Sequence, residues 1–177
     1  MSRRTIPSPP PIPDSEIQDF ADMSAALTGF QSSVLKPALD PLGLARIYYE
    51  FALAQVGARM TALLNAYRAI KTQPAQQIAD TLLETSGSSP SAQAQLAQSI
   101  IAMWYLGSWY VPGVLGFPGF APPALQVISS VAYTNGLVWR VMQSHPMGYS
   151  AFTFGYWSQQ PAPLSNFGVN TGNGGGQ

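Results

Sequence analysis

DPLGLARIYYEFALAQVGARMTALLNAYRAIK, residues 40 to 71, decides the fold class. Asp40 has the side chain of a helix N-cap, and Pro41 has the fixed φ of a first helical position. Ala45, Tyr49, Ala52, Val56, Met60, Leu63 and Tyr67 then recur at intervals of three and four, which lays one apolar stripe along a helix. The pattern predicts one helix of about thirty residues, bent near Gly57.

The same signals extend in both directions. Upstream, Asp14 or Ser15 caps a helix whose first turn holds Glu16 and Asp19, acids favoured there by the helix dipole. Ile17, Phe20, Met23, Ala26 and Leu27 form its stripe, Phe30 follows, and Gly29 suits a left-handed stop. Downstream of Thr72-Gln73-Pro74 a shorter helix is expected to run to Glu84, and residues 86–90, SGSSP, form a loop. Ser89 and Pro90 start the next helix, with Leu96, Ile100, Met103, Trp104 and Gly107 on one face. Residues 111–124 read as irregular, residues 128–143 as one more helix, and the chain from Ser144 onward as loop.

There is no internal repeat. The expected fold is all-α, an irregular bundle of about five helices with long Pro/Gly/aromatic-rich loops and an extended C-terminal arm. The expected layout is a disordered Pro-rich lead-in over 1–13, a helical domain over 14–147, an extended docking arm over 148–165 and a flexible Gly-rich tail over 166–177. Ser2-Arg3-Arg4-Thr5 matches the start of a twin-arginine export signal, but prolines stand where the apolar stretch should follow, so these residues complete no targeting signal.

At 177 residues the chain has the length of one domain with a real core. Eight basic residues balance eight acidic ones, which argues against nucleic acid as a partner. The absence of cysteine excludes thiol catalysis, zinc–thiolate sites, cysteine-ligated clusters and covalent c-type haem attachment. With one histidine, His145, the chain cannot build a multi-histidine metal site alone.

Charged residues make up 9% of the sequence, against about 25% in ordinary soluble proteins. Beyond Glu84 the single formal charge is Arg140. A surface without such side chains faces something other than water. The segment from Ile100, IIAMWYLGSWYVPGVLGFPGF, has the uncharged length of a membrane span, roughly 20 residues. Pro112, Gly113, Gly116, Pro118 and Gly119 break it, and no Lys/Arg cluster flanks it. A protein partner fits better than lipid, with insertion of residues 100–128 into a membrane as the alternative.

Three chemical readings give way to simpler ones. Ser144 and His145 are adjacent but have no carboxylate nearby in sequence to orient the ring, so His145 reads as a loop histidine. Gly172, Gly174, Gly175 and Gly176 lack the strand and helix that make a phosphate loop. Asp14, Glu16, Asp19 and Asp22 read as the wet face of a capped helix rather than a cation site. The aromatic residues differ, because few charges accompany them. Trp104, Tyr105, Trp109, Tyr133, Trp139, Tyr149, Phe154, Tyr156, Trp157 and Pro161 are expected at a partner interface.

Four blocks carry a family resemblance: FADMSAALTG (20–29), IIAMWYLGSW (100–109), VAYTNGLVWRVM (131–142) and FGYWSQQPAP (154–163). In order and spacing they resemble the small subunit of bacterial FAD-dependent membrane-bound sugar and polyol dehydrogenases, among them the sorbitol, fructose and glucose dehydrogenase complexes. Phe20, Ser24, Leu27, Thr28 and Gly29 fill the first motif. Trp104-Tyr105-Leu106-Gly107 fills the second, and Gly155, Tyr156, Trp157 and Pro161 fill the closing one.

The resemblance implies a non-catalytic subunit with no cofactor of its own. Its expected partners are a large flavoprotein holding FAD and an iron–sulfur cluster, and a multihaem cytochrome c subunit that anchors the complex. The small subunit is expected to bind and stabilise the flavoprotein, chaperone-like, to assist its twin-arginine export, and to reside in the periplasm at the inner membrane. Family members often carry a cysteine before the closing motif; Ser150 and Ala151 stand there in this chain, so attachment is expected to be noncovalent. Residues 108–130 are also richer in Gly and Pro than the family's equivalent loop.

Overall fold

Residues 40–71 form two helices rather than one. A computed structural model describes residues 11–87, 89–113, 125–146 and 163–169. In it α1 spans Asp14–Thr28, α2 Ser32–Leu35, α3 Leu44–Val56, α4 Ala58–Ile70, α5 Ala75–Leu83 and α6 Ala92–Leu106. A short strand β1, Ser108–Tyr110, pairs with β2, Leu125–Val127, and two single-turn helices follow, α7 at Ser130–Thr134 and α8 at Leu137–Val141. The chain is therefore an irregular all-α bundle carrying one small two-stranded ribbon.

The break between α3 and α4 has a local cause. Gly57 adopts φ 52 and ψ −125, a conformation open essentially to glycine. Its N–H closes α3 on Leu53 O at 2.8 Å, and its carbonyl opens α4 on Met60 N at 3.0 Å. The expected start also shifts. Asp40 Oδ1 accepts from Gly43 N–H at 2.8 Å, and Gly43 is left-handed at φ 61, so Asp40 caps the turn before the helix instead of the helix itself.

Helix α1 lies at the centre, packed against α3, α4, α5 and α6. It buries Ile17, Phe20, Met23 and Leu27, each worth roughly 1.5–3 kcal/mol when fully removed from water. It ends at Gly29, φ 78, as its sequence foretold. Tyr49 from α3, Met60 and Leu63 from α4, Ile78 and Leu82 from α5, and Leu96, Ile100 and Met103 from α6 complete the same core. Ser91 rather than Ser89 caps α6, its Oγ accepting from Gln93 N–H at 3.2 Å and Ala94 N–H at 3.3 Å.

The helix expected over residues 128–143 is interrupted. Ile128 N–H donates to Gly107 O at 3.1 Å and so continues the antiparallel pairing of Trp109 with Gln126. Ser129 then caps α7 through Ala132 N–H at 3.0 Å. Asn135 and Gly136 separate α7 from α8, because Gly136 passes so close to α6 that a β-carbon there would stand 2.7 Å from the Tyr105 carbonyl oxygen. The chain closes back on its beginning. Val169 bridges Phe30, and Gln31 N–H donates to Gly168 O at 2.8 Å.

Candidate partner interface

The C-terminal end of α6 sorts the aromatic residues into two groups. Helical spacing turns Trp104 inward, where its ring meets Tyr48 edge-on at 4.7 Å and stacks near Phe20 at 6.3 Å. After the left-handed turn at Gly107, φ 63, strand β1 turns Trp109 inward as well, edge-on to Phe51 at 6.0 Å. Both tryptophans are 2% exposed. Expected at an interface, these two rings belong to the chain's own core, where the bundle has apolar partners waiting for them. The Trp104 Nε1–H finds no acceptor among the described residues.

The second group is half-buried. Tyr105 donates to Thr28 O at 3.0 Å and meets Phe30 edge-on at 6.1 Å, and burial raises its hydroxyl above the ordinary tyrosine range. Tyr133 and Trp139 form an edge-on pair at 5.5 Å, held by Trp139 Nε1–H donating to Tyr133 O at 2.7 Å. These three present an edge to the outside. Tyr149, Phe154, Tyr156, Trp157 and Pro161 lie outside the described residues, as does most of the expected docking arm.

Sequence reasoning passed over the aliphatic residues beside them. Leu106, Val111, Leu125, Val127, Val131 and Met142 are all exposed, Val127 at 56% and Met142 at 64%. All three residues of β2 are exposed. Because Ile128 is hydrogen-bonded to Gly107 and Gln126 faces Trp109, the intervening Val127, opposite Ser108, turns its main-chain groups away from β1. The signal was already present in the charge map, since this stretch holds one formal charge.

The charged side chains gather around α1. The four acids of α1 do more than face water. Arg68 Nε donates to Asp19 at 2.7 Å and Lys71 reaches the same carboxylate at 3.4 Å, while the Tyr49 hydroxyl donates to Glu16. Asp22 accepts from Gln18 at 2.9 Å and from the Ser32 hydroxyl. Burial pushes Asp19 up, but Arg68 and Lys71 together outweigh it and hold the carboxyl below its ordinary value. Lys36 and Arg46 pair with Asp14. Among the described residues no group of three His, Asp or Glu side chains could hold a metal ion. His145 is half-buried, with Nδ1 3.1 Å from Pro146 O.

Among the described residues no helix is long and apolar enough to cross a membrane. Helix α6, which begins the uncharged segment, spends Ile100, Met103 and Trp104 on its own core.

Residues 3–161 match the family described as membrane-bound FAD-containing D-sorbitol dehydrogenase, and the chain belongs to that family. No curated protein matches it. No solved structure matches it either. A cleft lined by residues between 34 and 44 together with Trp104, Asn135, Leu137 and Arg140 holds about 110 Å³, too small for the flavin in the family's description. Among the described residues the sheet is a two-stranded antiparallel ribbon, without the strand–turn–helix that seats a dinucleotide.

Proposed function

We propose that this chain is the small, non-catalytic accessory subunit of a membrane-associated FAD-dependent sugar or polyol dehydrogenase, binding and stabilising the flavoprotein that carries out the oxidation. One observation carries the reading: Leu106, Val111, Leu125, Val127, Val131 and Met142 stand exposed in a stretch whose lone charge is Arg140. Apolar side chains left in water are each unfavourable, and a partner that covers them recovers that free energy. Family membership supplies the partner's class.

In this reading FAD and an iron–sulfur cluster sit in the large subunit and c-type haems in a cytochrome subunit, all on the periplasmic side of the inner membrane. Tyr105, Tyr133 and Trp139 contribute their outer edges to the contact, and Tyr149, Phe154, Tyr156, Trp157 and Pro161 extend it as an arm. Trp104 and Trp109 support it from beneath. The chain also assists export of the flavoprotein. Co-expression of the flavoprotein with and without this chain tests the proposal. Soluble, active and exported flavoprotein is expected only with the chain present, and equal yields in both cases would overturn it.

A further inference from the structure

The cleft of about 110 Å³ has a chemistry of its own. Trp104, Pro37, Leu42 and Leu137 give it apolar walls, and Asp40 and Arg140 bring the charge. Arg140 is the only formal charge beyond Glu84, it is exposed, and no ion pair or side-chain hydrogen bond engages its guanidinium among the described residues. Asp40 does not neutralise it. That carboxylate gives Oδ1 to Gly43 N–H at 2.8 Å, and no ion pair joins the two residues.

A guanidinium beside an apolar cleft is a directional acceptor-seeker, because it offers paired N–H groups that match the two oxygens of a carboxylate. The complementary occupant has an apolar body and one carboxylate. Asp40 sharpens the choice, since its charge repels an acid placed anywhere but on the Arg140 side. Resting on the accessory-subunit reading, we infer that this cleft receives an acidic side chain, flanked by apolar residues, from the flavoprotein, with the carboxylate paired to Arg140. The aliphatic and aromatic surface then supplies contact area, while this one pair sets the register.

The test uses the co-purified complex and measures how fast the chain leaves it on dilution, at low and at high salt. Arg140→Gln is expected to speed release about tenfold or more and to abolish the acceleration that salt produces in the wild type. Arg140→Lys should fall between, since it keeps the charge and loses the fork. Leu42→Asp, which sets a like charge against the incoming carboxylate, should also speed release. Leu42 is 43% exposed and Arg140 is exposed, so the free variants should melt with the wild type. Release of Arg140→Gln at the wild-type rate overturns the inference, even if Leu42→Asp is faster, because the cleft would then be touched without reading a carboxylate. A wild-type chain that forms no complex overturns the accessory-subunit reading, and this inference with it.

Discussion

Gly107 and Ala132 meet with no room for a side chain between them: a β-carbon on Gly107 would fall on the Ala132 carbonyl and stand 2.5 Å from the Tyr133 nitrogen. Gly107 is also left-handed, at φ 63. This contact lets the end of α6 dock on α7, and with it the exposed ribbon keeps its place. The Tyr48 hydroxyl donates to the same Ala132 carbonyl at 3.4 Å, so α3 is tied to the junction too.

Gly107→Ala should therefore be among the most damaging single substitutions. The left-handed conformation costs roughly 1–2 kcal/mol for alanine, and displacing packed backbone adds ~1–3 kcal/mol. Gly29→Ala isolates the first contribution, since Gly29 is left-handed at φ 78 with nothing within 4 Å of its would-be β-carbon. Urea midpoints of the two variants should differ by the clash alone, with Gly107→Ala much the lower.

Gly57→Ala tests the break between α3 and α4. No atom obstructs a β-carbon there, so the cost is conformational, about 1–3 kcal/mol for a backbone region that is nearly glycine-only. A thermal melt showing no loss would mean that the two helices can fuse into the single long helix suggested by the periodicity.

Acid sensitivity should trace to Asp19. Its folded carboxyl lies below the ordinary value of 3.8, so its stabilisation is full above that value and fades as pH falls through the folded value. Asp19→Asn should flatten the stability profile below about pH 4 while leaving the alkaline side unchanged. Chemical denaturation at stepped pH reads this directly.

Alkaline sensitivity should trace to Tyr67. Burial, with smaller contributions from Asp22 and Asp19, pushes its hydroxyl up to about 12 from 10.0. A raised folded value gives stability that is whole below pH 10 and is lost as pH rises toward 12. Tyr67→Phe should remove part of that slope, measured by the same denaturation series.

Val127→Ser and Met142→Gln should separate folding from assembly. Both side chains are largely exposed, so each change should alter stability of the free chain by no more than about 0.5 kcal/mol. Flavoprotein recovered by pull-down should fall with either and fall further with both. Undiminished recovery by the double variant would remove Val127 and Met142 from the interface.

The elements legible in the sequence were those fixed locally. α1 was readable from its apolar stripe and the stop at Gly29, and α5 and α6 from the prolines that precede them and their own stripes, although no side chain caps α1 or α5 and Glu84 rather than a glycine ends α5. The helix expected over 128–143 failed because its interruption at Asn135-Gly136 answers to the Tyr105 carbonyl on another helix. The burial of Trp104 and Trp109 was not legible for a similar reason. Residue type gives a ring its appetite for burial but not its partner, and the exposed aliphatic residues resembled ordinary core.

By itself the sequence determined the helical class, the near absence of charge beyond Glu84 and the motifs of the family. These are sums and short spacings along one chain. Only the tertiary structure decided that Trp104 and Trp109 are buried while Val127 and Met142 stand in water. Phe20 and Tyr48 come from α1 and α3 to enclose Trp104, and whether such distant segments meet is set by the packing of the whole bundle.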